Sequence, residues 1–127
     1  MKKSIALFAL ALGAALSSAH ALEIAPYTPQ VLMAKQQAGE RVSVHFYATW
    51  CPTCRLQEKI FKTFQGDASV PGTLLVADFD TERDLKRDMN VRQQATLIVF
   101  QGKTQIHRSG SETDPEQLRA AFNTPAR

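Results

Sequence analysis

Apolar positions along the chain alternate between two spacings, and glycine and proline mark the changes. Residues 41–48 (Arg41-Val42-Ser43-Val44-His45-Phe46-Tyr47-Ala48) and 73–80 (Thr73-Leu74-Leu75-Val76-Ala77-Asp78-Phe79-Asp80) are dense in β-branched and aromatic side chains, which predicts strands. The same holds for 96–100 and 103–108, and the two residues Gln101-Gly102 between them predict a hairpin. Thr28-Pro29 and Asp114-Pro115 each place a capping side chain before a proline at the first helical position. The first predicted helix runs through Val31, Leu32 and Lys35 toward Gly39; the last carries Leu118, Ala121 and Phe122. From Pro52 to about Gln65, Leu56, Ile60, Phe61 and Phe64 fall on one helical face, and Gly66 ends it. Thr81 to Met89 reads as a short, solvated, charged helix, and the residues around Ala25 as a short leading strand. Helices between strands require crossovers and parallel pairing, and the closing hairpin adds an antiparallel edge. The fold class is therefore α/β: a mixed central sheet of four to five strands, flanked by helices on both faces, with Phe46, Phe64, Phe79, Phe100 and Ile60 in its core.

Residues 1–21 follow a different pattern. A basic start, Lys2-Lys3, precedes a run of 12 residues from Ile5 to Leu16 that is almost wholly apolar, and Ala19-His20-Ala21 follows. That order predicts a cleaved secretory signal peptide, and the run is shorter than the roughly 20 residues a membrane span needs. Residues 22–127 then form one domain, with no membrane insertion after cleavage. Composition changes the picture only here. The full chain has 15 Lys+Arg against 12 Asp+Glu, and losing Lys2 and Lys3 lowers the net charge from +3 to +1. No basic cluster remains to argue for nucleic acid. Export places the 2 cysteines in an oxidising compartment, periplasmic or secreted, where a disulfide persists.

Those cysteines carry the chemistry. Trp50-Cys51-Pro52-Thr53-Cys54 falls where a predicted strand ends and a helix begins. Unpaired N–H groups and the positive end of the helix dipole favour a thiolate at Cys51, with Pro52 pre-set for the first turn. Cys54, one helical turn on, can reach the first sulfur. Cys51 is then the attacking thiol and Cys54 the resolving one. Two other readings stand beside this. A structural disulfide over so short a loop constrains little chain. A zinc site would need His45 and His107, the two histidines left after cleavage, to converge on both cysteines.

Val44-His45-Phe46-Tyr47-Ala48-Thr49-Trp50-Cys51-Pro52-Thr53-Cys54 resembles the active-site strand and turn of the thioredoxin family, especially its exported members. The resemblance continues through residues 91–100, Gly102-Lys103, Gly110 and the last helix. It implies a thioredoxin fold, a redox-active Cys51–Cys54 disulfide, no other cofactor and exchange with protein thiols and disulfides. By the same resemblance Trp50, Pro52 and Thr53 are expected to support the pair, Trp50 either shielding Cys51 or packing at the strand end, and Gln94, Ala95 and Thr96 are expected to line the substrate groove.

Three departures from the family pattern are visible. Ala95 stands where the family has a cis-proline; a trans Gln94–Ala95 bond and altered partner recognition are expected. His45 replaces a buried acid, either as a neutral base for Cys54 or as a buried histidine that only hydrogen-bonds its surroundings. Asp78 replaces a lysine, and an Asp78–His45 pair is the expected substitute for the family's charge pair. The function expected is that of an exported, monomeric thiol–disulfide oxidoreductase with a membrane electron-transfer partner. Pro52-Thr53 puts no charge between the cysteines, which favours a reductase over a strong oxidant. The alternative is a binding module holding a metal or iron–sulfur cluster through the same cysteines.

Overall fold

The structure is a computed structural model, and it describes residues 21–127. Of the expected export segment only Ala21 falls within them, bridging Pro71. The elements follow as β1 (Glu23–Pro26), α1 (Pro29–Gln37), β2 (Arg41–Tyr47), α2 (Pro52–Phe64), β3 (Thr73–Asp78), α3 (Arg83–Asp88), β4 (Thr96–Gln101), β5 (Thr104–Gly110) and α4 (Pro115–Phe122). The strands form one sheet in the order β1-β3-β2-β4-β5. β3 pairs parallel with β1 and β2, whereas β4 pairs antiparallel with β2 and β5.

The caps work as the sequence suggests. Thr28 Oγ1 accepts from Val31 N–H at 3.1 Å, and Asp114 Oδ1 from Glu116 N–H at 2.9 Å. Each satisfies a donor that the first helical turn leaves unpaired. The hairpin turn lies one residue later than expected, at Gly102-Lys103, because Gln101 still pairs with Thr104. Gly102 takes φ +58°, and its Cα side lies against Gly39, so a side chain there would be both strained and crowded. Between Val99 and Phe100 the β4–β5 register shifts, so β5 carries a bulge.

Alternation along β2 divides the core in two. Val42, Val44 and Phe46 face α1 and α3, packing with Leu32, Leu75, Leu85 and Ile98. On the other face, Phe61 and Phe64 of α2 meet Leu118 and Phe122 of α4 over Leu74, Leu97 and Val99. His45 belongs to this second face, its ring edge-on to Phe61 with centroids 4.9 Å apart. One helical face differs from expectation. The buried positions of α2 are Cys54, Gln57, Phe61 and Phe64, whereas Leu56 is 47% exposed. The stripe therefore runs through a glutamine. No helix among the described residues is long and apolar enough to cross a membrane.

Candidate active site

β2 leaves the sheet at Tyr47, and the loop Ala48-Thr49-Trp50 delivers Cys51 to the N-cap of α2. Arg55 Nη1 donates back to Thr49 O at 2.8 Å, tying that loop to the helix it precedes. Cys51 Sγ accepts from Cys54 N–H at 3.1 Å, so the sulfur occupies the position a capping oxygen usually takes. Cys51 and Cys54 form a disulfide with their Cα atoms 5.2 Å apart. Ala48 and Ala95 pack against the pair, and Phe46 O lies 3.9 Å from Cys54 Sγ. Pro52 takes the first helical position, exposed, and Thr53 is half-buried.

The Ala95 loop is held from three sides. Ala95 N–H donates to Phe46 O at 2.8 Å, and its carbonyl accepts from Ser111 N–H at 3.0 Å and Gln57 Nε2–H at 3.1 Å. Every peptide bond of the described residues is trans, as expected at Gln94–Ala95. Ala95 itself adopts φ +63°, a left-handed conformation unusual for a residue with a Cβ. A proline could not adopt that φ and would have no N–H for Phe46 O. Thr96 is buried and donates through Oγ1 to Gln93 O at 2.8 Å, while Gln94 is half-buried beside them.

Gln57, not singled out from the sequence, is the buried hub behind the sulfurs. Its Nε2 donates to Ala95 O and, at 2.9 Å, to Glu112 O. Both amide hydrogens are thereby spent, so Oε1 is the atom facing His45 Nε2 at 2.8 Å. An acceptor there requires the His45 proton to sit on Nε2. A polar residue in a buried helical stripe is the sequence signal that would have found it.

The structure does not bring Asp78 to His45. The β2–β3 register pairs His45 with Val76 and Tyr47 with Asp78, two residues further along. Asp78 is exposed at the strand end, where Oδ1 accepts from Asp80 N–H at 2.9 Å. The carboxylate therefore lies in water, and the partner of His45 is the neutral amide of Gln57. Trp50 is not packed at a strand end either. It is 55% exposed, with Nε1–H donating to Asp80 Oδ2 at 2.9 Å. Among the described residues, no three His, Cys, Asp or Glu side chains cluster where a metal ion could be held.

Burial pushes the His45 pKa down to about 4, against a smaller opposing contribution from the Gln57 hydrogen bond. The unfolded chain, with an ordinary pKa of 6.5, then binds a proton that the folded protein does not. Stability therefore falls as pH drops from about 6.5 to about 4 and levels off below, by about 3 kcal/mol from this group. His45→Leu is expected to remove that slope when unfolding free energies at pH 7 and pH 4 are compared. Equal slopes in the two proteins would exclude a neutral buried ring.

A five-stranded mixed sheet with two helices on each face and a disulfide at the N-terminus of α2 is a thioredoxin fold carrying a redox dithiol. The thioredoxin family model matches residues 23–124, and the chain belongs to that family. A structure of Trxlp from Edwardsiella tarda EIB202 superposes with a TM-score of 0.72 at 31% identity, covering 77% of this chain and 96% of that one. The thioredoxin of Coprinus comatus is 27% identical over 70 residues, 54% of this chain and 66% of that protein. The bifunctional thioredoxin reductase/thioredoxin of Mycobacterium leprae (strain TN) is 30% identical over 71 residues, 56% of this chain and 16% of that protein.

Proposed function

We propose that the protein is an exported thiol–disulfide oxidoreductase that donates electrons to protein disulfides through Cys51 and Cys54. The observation that carries this reading is the capped sulfur: Cys51 Sγ sits at the N-terminus of α2 and accepts the Cys54 N–H at 3.1 Å. The same donor and the helix dipole stabilise a thiolate there. In the reduced protein, the Cys51 thiolate attacks one sulfur of a substrate disulfide and releases the other as a thiol. The Cys54 thiolate then attacks Cys51, releases the second substrate thiol and leaves the Cys51–Cys54 disulfide. Two electrons pass to the substrate in each turn.

His45 takes no proton in this cycle near neutral pH, since its Nε2–H is committed to Gln57 and burial disfavours its cation. Export is supported by the order of basic, apolar and small residues in positions 1–21. A reductase in an oxidising compartment needs re-reduction, and a membrane electron carrier is the partner that chemistry requires. The protein acts as a monomer in this reading.

The test is the reduction potential of the Cys51–Cys54 pair, equilibrated against glutathione. A value near −270 mV, about that of thioredoxin, is expected for an electron donor. A value near −120 mV, about that of a strong oxidant, would reverse the proposed direction. A pair that fails to form its disulfide reversibly would overturn the enzyme reading itself.

A further inference from the structure

Arg92 and Arg108 are cations that the dithiol cycle leaves unused. Among the described residues neither forms an ion pair, whereas Arg87 and Arg119 each hold an aspartate. Both line an open, polar concavity of about 310 Å³, together with Asn90, Gln93, Thr96 and Gly110, and no acidic side chain lines it.

The chain fixes this concavity beside the sulfurs. Thr96 directly follows Ala95, which packs against Cys51 and Cys54. Its Oγ1 donates to Gln93 O at 2.8 Å and closes the turn that carries Arg92. Across the β4–β5 pairing Thr96 faces Gly110, where a missing side chain leaves open space. Arg108 is held by backbone carbonyls, Nη2 donating to Met89 O and Nη1 to Asn90 O. Those bonds orient the guanidinium without neutralising its charge. Arg92 is exposed and keeps its fork of donors for another partner.

Two like charges beside one concavity, with no counter-charge in its lining, favour an anion. A guanidinium matches a carboxylate with two parallel N–H···O bonds. Position narrows the source. A polypeptide whose disulfide meets Cys51 lays its neighbouring residues over the Ala95 loop, and an extended chain advances about 3.3–3.6 Å per residue.

We propose that the concavity is a specificity subsite in which Arg92 receives an Asp or Glu side chain of the substrate polypeptide, two to four residues from the cysteine under attack. The inference rests on the reading of Cys51 as the nucleophile toward protein disulfides, and it names the substrates that nucleophile prefers.

The test uses short peptides, each closed by one disulfide, with Glu, Gln or Lys at one position two to four residues from a cysteine. Second-order rate constants are measured for their reduction by the reduced protein. At one such position the Glu peptide is expected to react about fivefold faster than the Gln peptide, and the Lys peptide more slowly than either. The ratio of Glu to Gln rates is expected to fall below about twofold in 1 M salt, where screening acts within about 3 Å. Arg92→Gln is expected to bring that ratio near one, and Arg92→Glu to favour the Lys peptide instead. Equal rates for the three peptides at every position, or a preference for Glu that survives Arg92→Glu, would overturn the subsite and leave the oxidoreductase reading standing. Failure to reduce any of the peptides would overturn both.

Discussion

Cys51→Ser is expected to slow exchange with a protein disulfide by about a thousandfold or more, whereas Cys54→Ser is expected to stall with substrate covalently attached. A serine hydroxyl is not ionised at neutral pH and is a poor nucleophile unaided, so loss of the Cys51 thiolate removes the first step. Loss of Cys54 leaves that step intact and removes the thiolate that releases the product. The measurement is mass spectrometry of each variant, incubated with a disulfide-bonded protein, under non-reducing conditions. Exposure does not distinguish the two sulfurs, since Cys51 is 2% and Cys54 0% exposed in the oxidised protein. The assignment rests on helix position, with Cys51 at the cap and Cys54 within the first turn. An adduct that accumulates on Cys51→Ser and not on Cys54→Ser would exchange the roles.

Gln57→Met is expected to destabilise the protein by about 3 kcal/mol, a fall in Tm of roughly 10–20 °C. Methionine nearly matches glutamine in volume, so the loss isolates the amide. It leaves His45 Nε2–H and Glu112 O without their partner, and Ala95 O with Ser111 N–H alone. Stranding buried polar groups costs more than the net strength of the bonds they made. The Ala95 loop, which packs on the sulfurs, also loses its tie to α2. Reduction of a protein disulfide is therefore expected to slow more than reduction of a small one. If Gln57 were only filler, the substitution would cost less than about 1.5 kcal/mol, as volume-conserving core changes do.

Much of the architecture was legible because its signals are local. A capping side chain before proline announced α1 and α4, and β-branched runs announced β2, β3 and β4. The cysteine pair at a strand-to-helix junction was legible for the same reason. What escaped depends on relations between distant segments. Counting apolar residues put Leu56 on the inner face of α2; the spacing of Gln57 from Cys54 and Phe61 places the glutamine there instead, but His45 and the two carbonyls it serves lie in other segments. The Asp78–His45 pairing failed on strand register, which the composition of neither strand encodes. Asp80 was missed as the partner of Trp50, since the contact joins residues 30 positions apart. The trans bond at Ala95 followed from ordinary peptide energetics; its left-handed φ did not, because alanine carries no signal for that conformation.

The margins of the sheet bear on how the molecule behaves in company. Unpaired strand edges are templates on which another chain can add, and long flat ones invite aggregation. Here β1 is 4 residues long and ends at Pro26, which has no N–H to offer. At the opposite margin, β5 is longer, but its bulge breaks the even spacing of donors and acceptors, and exposed Arg108 adds a charge near the middle. A thiol–disulfide oxidoreductase that contacts another polypeptide can meet an exposed strand. Margins that are short, interrupted and charged make this sheet a poor template for such a strand.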